Sequence, residues 1–174
     1  LIHFVLTWLT RQKKLNIIRS RCTIFPISNI SLLMNENGTE GRSACPSGWS
    51  KYGSRCFRYI STERTWAESE QFCVYQGANL ASVHSTAEYH FIQEMVMIQT
   101  GGLPHAWIGG YDLAQEGLWL CSDGSRFEFT NWSKGQPDNY QGKQNCLYFN
   151  YGAEKRWDDG ICSARFPSVC SRRM

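Results

Sequence analysis

The apolar positions along this chain change period several times, and each change marks an element. Between Thr62 and Gln76, Trp66, Phe72, Cys73 and Tyr75 share one face of a 3.6-residue repeat. Glu63, Glu68 and Glu70 come early and Gly77 follows, which predicts a helix over 62–76 that stops at the glycine. Ala78 to Val83 predicts a short strand. Ser85-Thr-Ala-Glu88 has the spacing of a capping box and opens a second predicted helix. Its apolar stripe runs Tyr89, Phe91, Ile92, Met95 and Val96, and Gly101-Gly102 ends it; Met95 and Met97 are expected as core filler. After Ala106-Trp-Ile-Gly-Gly110 the pattern shortens. Leu118–Leu120, Phe127–Phe129, Cys146–Phe149, Lys155–Trp157 and Ser168–Cys170 are predicted strands. The stretch from Asn131 to Asn145 predicts a loop, and a loop of that length in a compact domain is usually functional. Upstream, Cys45-Pro-Ser-Gly-Trp49 and Cys56-Phe-Arg-Tyr59 predict a hairpin closed by a bridge between its cysteines. Residues 20–44 are polar and predict a linker.

Composition narrows the class. The chain has 174 residues, 42% of them hydrophobic and 14% aromatic, enough for one domain with an aromatic-rich core. Its eight Cys stand at irregular spacings and form no CxxC pair, which disfavours zinc ribbons and redox motifs. They predict a disulfide framework and an oxidising compartment, so the protein is expected to be secreted or extracellular. Asn29, Asn37 and Asn131 open N-x-S/T triplets, and the first two, in the polar linker, are the better glycan candidates.

The net charge of +3 is unevenly spread. Residues 1–44 hold six Lys/Arg against two Asp/Glu, and the remainder holds twelve against thirteen. The predicted folded part is near neutral with no basic stripe, which excludes nucleic acid as the expected partner. Leu1 to Leu9 is apolar but about half the length of a membrane span, and the basic residues follow it rather than precede it. The expectation is a poorly ordered leader, with a truncated type II membrane anchor as the alternative.

Chemistry concentrates in two triplets, Gln136-Pro137-Asp138 and Trp157-Asp158-Asp159. Cys146 and Cys162 bracket the second, and a bridge between them would fold the two acidic loops against each other. Three carboxylates and amide oxygens would then meet with no Lys or Arg among them. Such a set repels itself unless a cation sits in it, and an all-oxygen set without His or Cys favours calcium over zinc. No enzyme is predicted. The four His, at 3, 84, 90 and 105, lie apart, and neither a nucleophile arrangement nor a phosphate-binding glycine loop is present; His105 is expected in a loop or the core.

Trp107-Ile-Gly109, Ser122-Asp-Gly-Ser125, Gln136-Pro-Asp138, Trp157-Asp-Asp159 and the quartet Cys73, Cys146, Cys162 and Cys170 together resemble a C-type lectin-like domain. Cys45-Pro with Cys56 resembles its long form. The resemblance covers residues 45–172, and it is strongest to fish galactose-type lectins and the type II antifreeze proteins built on the same domain. It implies an α+β fold, two helices with short antiparallel sheets and a long calcium-binding loop region. The division is then a leader and linker over 1–44 and one domain over 45–174.

The resemblance further implies the pairings Cys45–Cys56, Cys73–Cys170 and Cys146–Cys162. Cys22 and Cys121 are left over, and Cys121 departs from the family, which commonly has Trp there. An interchain Cys22 bond, giving a disulfide-linked homo-oligomer, is expected; a Cys22–Cys121 bond or two free thiols are the alternatives. The family's sugar-proximal calcium carries over to Gln136, Asp138, Gln144, Asp158 and Asp159, with a cis bond before Pro137. Sugar contacts carry over to Gln136, Asp138, Gln144 and Asp158, and Tyr140 adds a ring that can stack on galactose or stand in solvent. Family members with Gln-Pro-Asp favour galactose over mannose, so glycans ending in galactose or N-acetylgalactosamine are the implied partners. Gln144 departs from the usual Glu and removes a charge from the shell. A second family site would use Asp112, Glu116, Asn139 and Asn145. Its two Asn replace Asp, so it is expected to hold no metal, with Asp112 and Glu116 as solvated loop acids. Ice binding of the type II antifreeze class and a metal-independent, receptor-like module for a protein partner are the competing readings.

Overall fold

The structure is a computed structural model and describes residues 44–174. The elements are β1 (Ser50–Tyr52), β2 (Arg55–Arg64), α1 (Trp66–Tyr75), β3 (Asn79–Leu80), α2 (Thr86–Thr100), β4 (Ala106–Tyr111), β5 (Leu120–Cys121), β6 (Cys146–Tyr151), β7 (Arg156–Gly160) and β8 (Phe166–Arg173). A single turn of 3-10 helix spans Tyr140–Gly142. The fold is α+β. The strands join in the order β1-β2-β8-β4-β6-β7, with β3 added to β8 and β5 to β4. All pairings are antiparallel except β4 with β8.

Strand alternation sorts the core into two clusters, because successive side chains point to opposite faces. In β6, Leu147 and Phe149 join α2 residues Tyr89, Ile92, Met95 and Val96, whereas Cys146 and Tyr148 join α1 residues Trp66 and Cys73. The same split separates Trp107 from Ile108 in β4 and Val169 from Cys170 in β8. Each helix therefore covers one face of the central strands. Gly109 and Gly110 permit this close approach: a Cβ on Gly109 would stand 2.6 Å from the Leu80 carbonyl oxygen, and one on Gly110 would stand 2.5 Å from Leu147 Cδ2.

Three disulfides staple the described residues: Cys45–Cys56, Cys73–Cys170 and Cys146–Cys162. The second closes a 97-residue separation, which constrains the unfolded chain by about 4–5 kcal/mol in the loop-entropy account. Cys121 is buried and has no disulfide partner among the described residues. Cys22, Asn29, Asn37 and the rest of residues 1–43 lie outside the described residues.

Several expected elements are corrected. Thr62–Arg64 belongs to β2, not to a helix, because Arg64 pairs with Phe166 of β8. The helix starts after Thr65, which caps it in a full box with Glu68, and Tyr75 points to solvent at 76% exposure rather than joining the core face. At the second helix Ser85 accepts from Glu88 N, but the Glu88 carboxylate turns to His84 N and Arg55, so only half of the expected box forms. Met95 is core and Met97 is exposed. Only Asn79–Leu80 of the 78–83 stretch is strand, although Ala81 N still donates to the Val169 carbonyl (2.8 Å). Phe127–Phe129 forms no strand; its rings pack against Trp119 and Trp157 instead. His105 stands, as expected, in the loop before β4, on the exposed side of Tyr148, Tyr151 and Phe166, and partial loss of water, followed by the Lys155 charge, lowers its pKa.

Candidate functional site

The loop from Asn131 to Asn145 is tied at both ends before any functional group is placed. At its start, Ser133 N donates to the Trp157 carbonyl (2.8 Å) and Trp157 N donates to the Asn131 carbonyl (2.9 Å). The Trp132 ring packs edge-on against Trp157 and against Trp119, at centroid distances of 5.8 Å and 4.8 Å. At its end, Asn145 N donates to the Gly160 carbonyl (3.2 Å), and Cys146 is bonded to Cys162. Both ends thus lean on β7, which carries Asp158 and Asp159.

Asp159 organises the middle of the loop. It is fully buried, and its Oδ1 and Oδ2 accept the backbone N–H groups of Asp138 (3.0 Å) and Asn139 (2.7 Å). Its carbonyl accepts Gln144 Nε2 at 2.9 Å, and Gln144 Oε1 accepts Tyr140 N at 2.6 Å. Asp138 Oδ1 also accepts Tyr140 N, at 3.2 Å. The Gln136–Pro137 bond is cis, and Asn139 and Gln141 adopt positive φ of 43° and 60°. Asp138, Gln144 and Asp159 are therefore joined directly, and the Tyr140 ring stands outward at 64% exposure.

Asp158 and Gln136 present the unusual atoms. Asp158 is buried, its Oδ2 accepts the Tyr148 hydroxyl, and its Oδ1 has no hydrogen-bond partner among the described residues. Gln136 Oε1 is likewise buried without a partner. Unsatisfied buried acceptors are rare because losing water without replacement costs about 1–3 kcal/mol. Burial, aided by the negative charges of Asp159 and Asp138, pushes the Asp158 carboxyl up to about 6, against the opposing Tyr148 hydrogen bond. Tyr148 is itself raised, first by burial and then by Asp158. Its part was missed in the sequence; only the strand register, which sets Tyr148 opposite Asp158, exposes it.

The second constellation is wired by amides. Asn145 Nδ2 donates to Asp112 Oδ1 (3.0 Å), and Asn139 Nδ2 donates to Glu116 Oε2 (2.6 Å). Gly117 N donates to Asp112 Oδ2 at 2.8 Å. Asp112 is 1% exposed, which corrects its expected role as a solvated loop acid. Partial loss of water, then the Asp112 and Asp159 charges, raise the Glu116 pKa. The two Asn side chains put N–H donors between carboxylates where a cation would otherwise be required. Among the described residues no group of three or more His, Cys, Asp or Glu side chains forms a ready metal cage. In the Gln136–Asp159 set this agrees with the bonding: two of the five residues are amides, and both Asp159 oxygens face backbone N–H groups.

The lectin C-type domain family model matches residues 62–172, the span from the end of β2 to the end of β8. The chain belongs to the C-type lectin domain family. It is 51% identical over 129 residues to ladderlectin of Oncorhynchus mykiss, covering 74% of this chain and 68% of that one. It is 35% identical over 153 residues to the galactose-specific lectin nattectin of Thalassophryne nattereri, covering 87% and 96%. Among solved structures it is similar to herring type II antifreeze protein, at 32% identity and a TM-score of 0.70, covering 75% of this chain and 99% of that one. These relatives are lectins and an antifreeze protein. Among the described residues of this C-type lectin domain, no helix is long and apolar enough to cross a membrane.

Proposed function

We propose that this domain is a secreted, calcium-dependent lectin that binds terminal galactose or N-acetylgalactosamine and catalyses no reaction. The observation that carries the reading is the pair of buried, unpartnered acceptors, Gln136 Oε1 and Asp158 Oδ1, in a set where the Asp159 carboxylate also fixes the Asp138 backbone N–H. Oxygen acceptors without donors, in a place where negative charge already lifts Asp158, fit a hard cation. Gln136, Asp138, Gln144, Asp158 and Asp159 would hold it, Asp159 while also fixing the loop backbone. When bound, calcium supplies positive charge and open positions for two vicinal sugar hydroxyls. The protein's own contribution is orientation. Gln136 brings an amide and Asp138 a carboxylate, in the order that in this family goes with galactose. Tyr140 offers an exposed ring for the apolar face of the sugar. The likeness to a galactose-specific lectin supports the same choice.

The double variant Gln136→Glu/Asp138→Asn exchanges amide and carboxylate and leaves the rest of the site alone. Wild-type protein is expected to bind galactose resin in calcium and leave with a chelator, and the variant to shift toward mannose resin. A wild type held by mannose resin and not by galactose would contradict the reading. The likeness to the herring antifreeze protein favours ice binding as the second reading. The exposed Tyr140 and Lys143 on the loop make a poor flat surface for ice, and an ice-recrystallisation assay is expected to show no inhibition.

A further inference from the structure

A half-open cleft of about 460 Å³ lies among the β1–β2 turn, the end of β8, the turn after α1 and the Asp123–Ser125 turn. It shares no lining residue with the Gln136–Asp159 set. Arg55, Arg172 and Arg173 line it, with Asn79, His84 and Asp123. Arg55 is fixed: its terminal nitrogens donate to Glu88 Oε1 (2.8 Å), Ser82 O (3.0 Å), Ser82 Oγ (2.9 Å) and Ser171 Oγ (2.7 Å). Asp123 lies 3.9 Å from the same guanidinium. Glu88 is thereby committed to Arg55, and Asp123 accepts from Ser82 Oγ (2.5 Å), Ser125 N (3.0 Å) and Ser125 Oγ (2.6 Å).

Directly across the β2–β8 ladder from Arg55 stands Arg173. Like charges opposite one another on an antiparallel pair repel. Neither Arg173 nor Arg172 has an ion pair among the described residues. Arg172 lies along the turn after α1, its Nη1 3.6 Å from where a Cβ on Gly77 would stand. The cleft thus gathers cations in excess of its carboxylates, and a bound anion relieves their repulsion. No Phe, Tyr or Trp lines it, so a neutral sugar or a base finds no stacking platform. Hydroxyls and an amide, from Ser54, Ser125 and Asn79, offer hydrogen bonds to a hydroxylated ligand. The volume falls within the roughly 300–1,000 Å³ of small-ligand sites, larger than a lone inorganic ion requires.

We propose that this cleft binds a sulfated saccharide, with Arg172 and Arg173 gripping the sulfate and Arg55 forming a fixed cationic floor. Guanidinium forks match the oxygens of such a group, and the adjoining donors take its hydroxyls. The site requires no calcium and works independently of the long loop.

The test is calorimetric titration of the full chain, in chelator, with a sulfated uronic acid–glucosamine disaccharide. Binding is expected, weaker at raised salt and absent for the desulfated disaccharide. In Arg172→Gln/Arg173→Gln it should fall about tenfold or more, since hydrogen bonds to charged groups are lost. The same variant should keep wild-type retention on galactose resin in calcium. Arg173→Gln alone, at an exposed side chain, supplies a second variant whose melting should match the wild type and whose binding should still weaken. No binding at millimolar disaccharide, equal binding of the desulfated form, or undiminished binding by a folded variant overturns the proposal. Binding of phosphoinositide vesicles without binding of the disaccharide also overturns it, and would assign the cleft to a lipid phosphate.

Discussion

At position 158 a carboxylate is buried with one oxygen on the Tyr148 hydroxyl and the other unpartnered. Burial lifts its folded pKa from 3.8 to about 6, so the calcium-free folded chain holds this proton more tightly than the unfolded chain. The resulting stabilisation is complete below the unfolded value and is lost as pH rises through about 6. The protein in chelator is therefore expected to be more stable at about pH 5 than at about pH 7, by roughly 1 kcal/mol from this group, the full effect of about 3 kcal/mol being reached only below about pH 4. Asp158→Asn should flatten that slope, and equal slopes in denaturant titrations would contradict the assignment. Gln144 offers a second residue-scale test. Its Nε2 donates to the Asp159 carbonyl, so Gln144→Glu sets oxygen against oxygen. Without calcium the variant should lose about 1–3 kcal/mol. With calcium the added charge should tighten binding, so its melting shift on calcium addition should exceed that of the wild type. Tyr140→Ala should weaken galactose binding by about 1–2 kcal/mol while shifting melting little, because the residue stands mostly in solvent. Gln136, Asp138, Asp158 and Asp159 stand out in the chain because they sit in two short triplets, whereas Gln144, outside both, is proposed only through the family resemblance. The clamp from Asp159 to the backbone of Asp138 and Asn139 was not, since it joins residues about twenty apart and leaves no local mark.

At the scale of elements, β4 carries the tightest constraint. Gly109→Ala would drive a Cβ to 2.6 Å from a backbone oxygen of β3 and 2.9 Å from Ser122 Oγ. Backbone there cannot yield cheaply, so the variant should lose about 1–3 kcal/mol or more. Gly102→Ala meets no atom within 4 Å and should change stability by less than about 0.5 kcal/mol in the same denaturant melts. Equal losses would mean that β4 does not approach β3 this closely. The sequence located α2 well because its stripe of Tyr89, Ile92, Met95 and Val96 is unbroken and Gly101 closes it in a left-handed cap. It overran the start of α1 because Thr62–Arg64 is polar and fits either period; the ladder to β8 decides, and that partner lies about a hundred residues away. Phe127 and Phe129 look like a strand for a related reason. Alternating aromatics signal burial on one side, and here the rings of Trp119 and Trp157 provide it without any ladder.

For the whole molecule, the cysteines together with the Trp107, Gln136 and Trp157 motifs made the fold legible through the family resemblance: the three bridges tie the first hairpin, α1 to β8, and the start of β6 to the turn after β7. The cross-face sorting of the core was not legible, because both faces of the central strands are buried and their runs read as continuously apolar. The arrangement yields a rigid sheet bearing one long loop, which is what a binding module that orients a cation and a sugar requires. The two acid constellations that this loop meets, one on β7 and one after β4, then differ in one respect. Asn139 and Asn145 supply donors to Asp112 and Glu116, whereas Gln136 and Asp158 keep oxygens without donors. One calcium per chain is therefore expected, and the sugar should depend on it. The most direct test is calorimetry on chelator-treated protein, titrated first with calcium and then with galactose. The account predicts one calcium per chain and galactose heat only after calcium is bound. Galactose binding that is the same in chelator, or absent at saturating calcium, would contradict it.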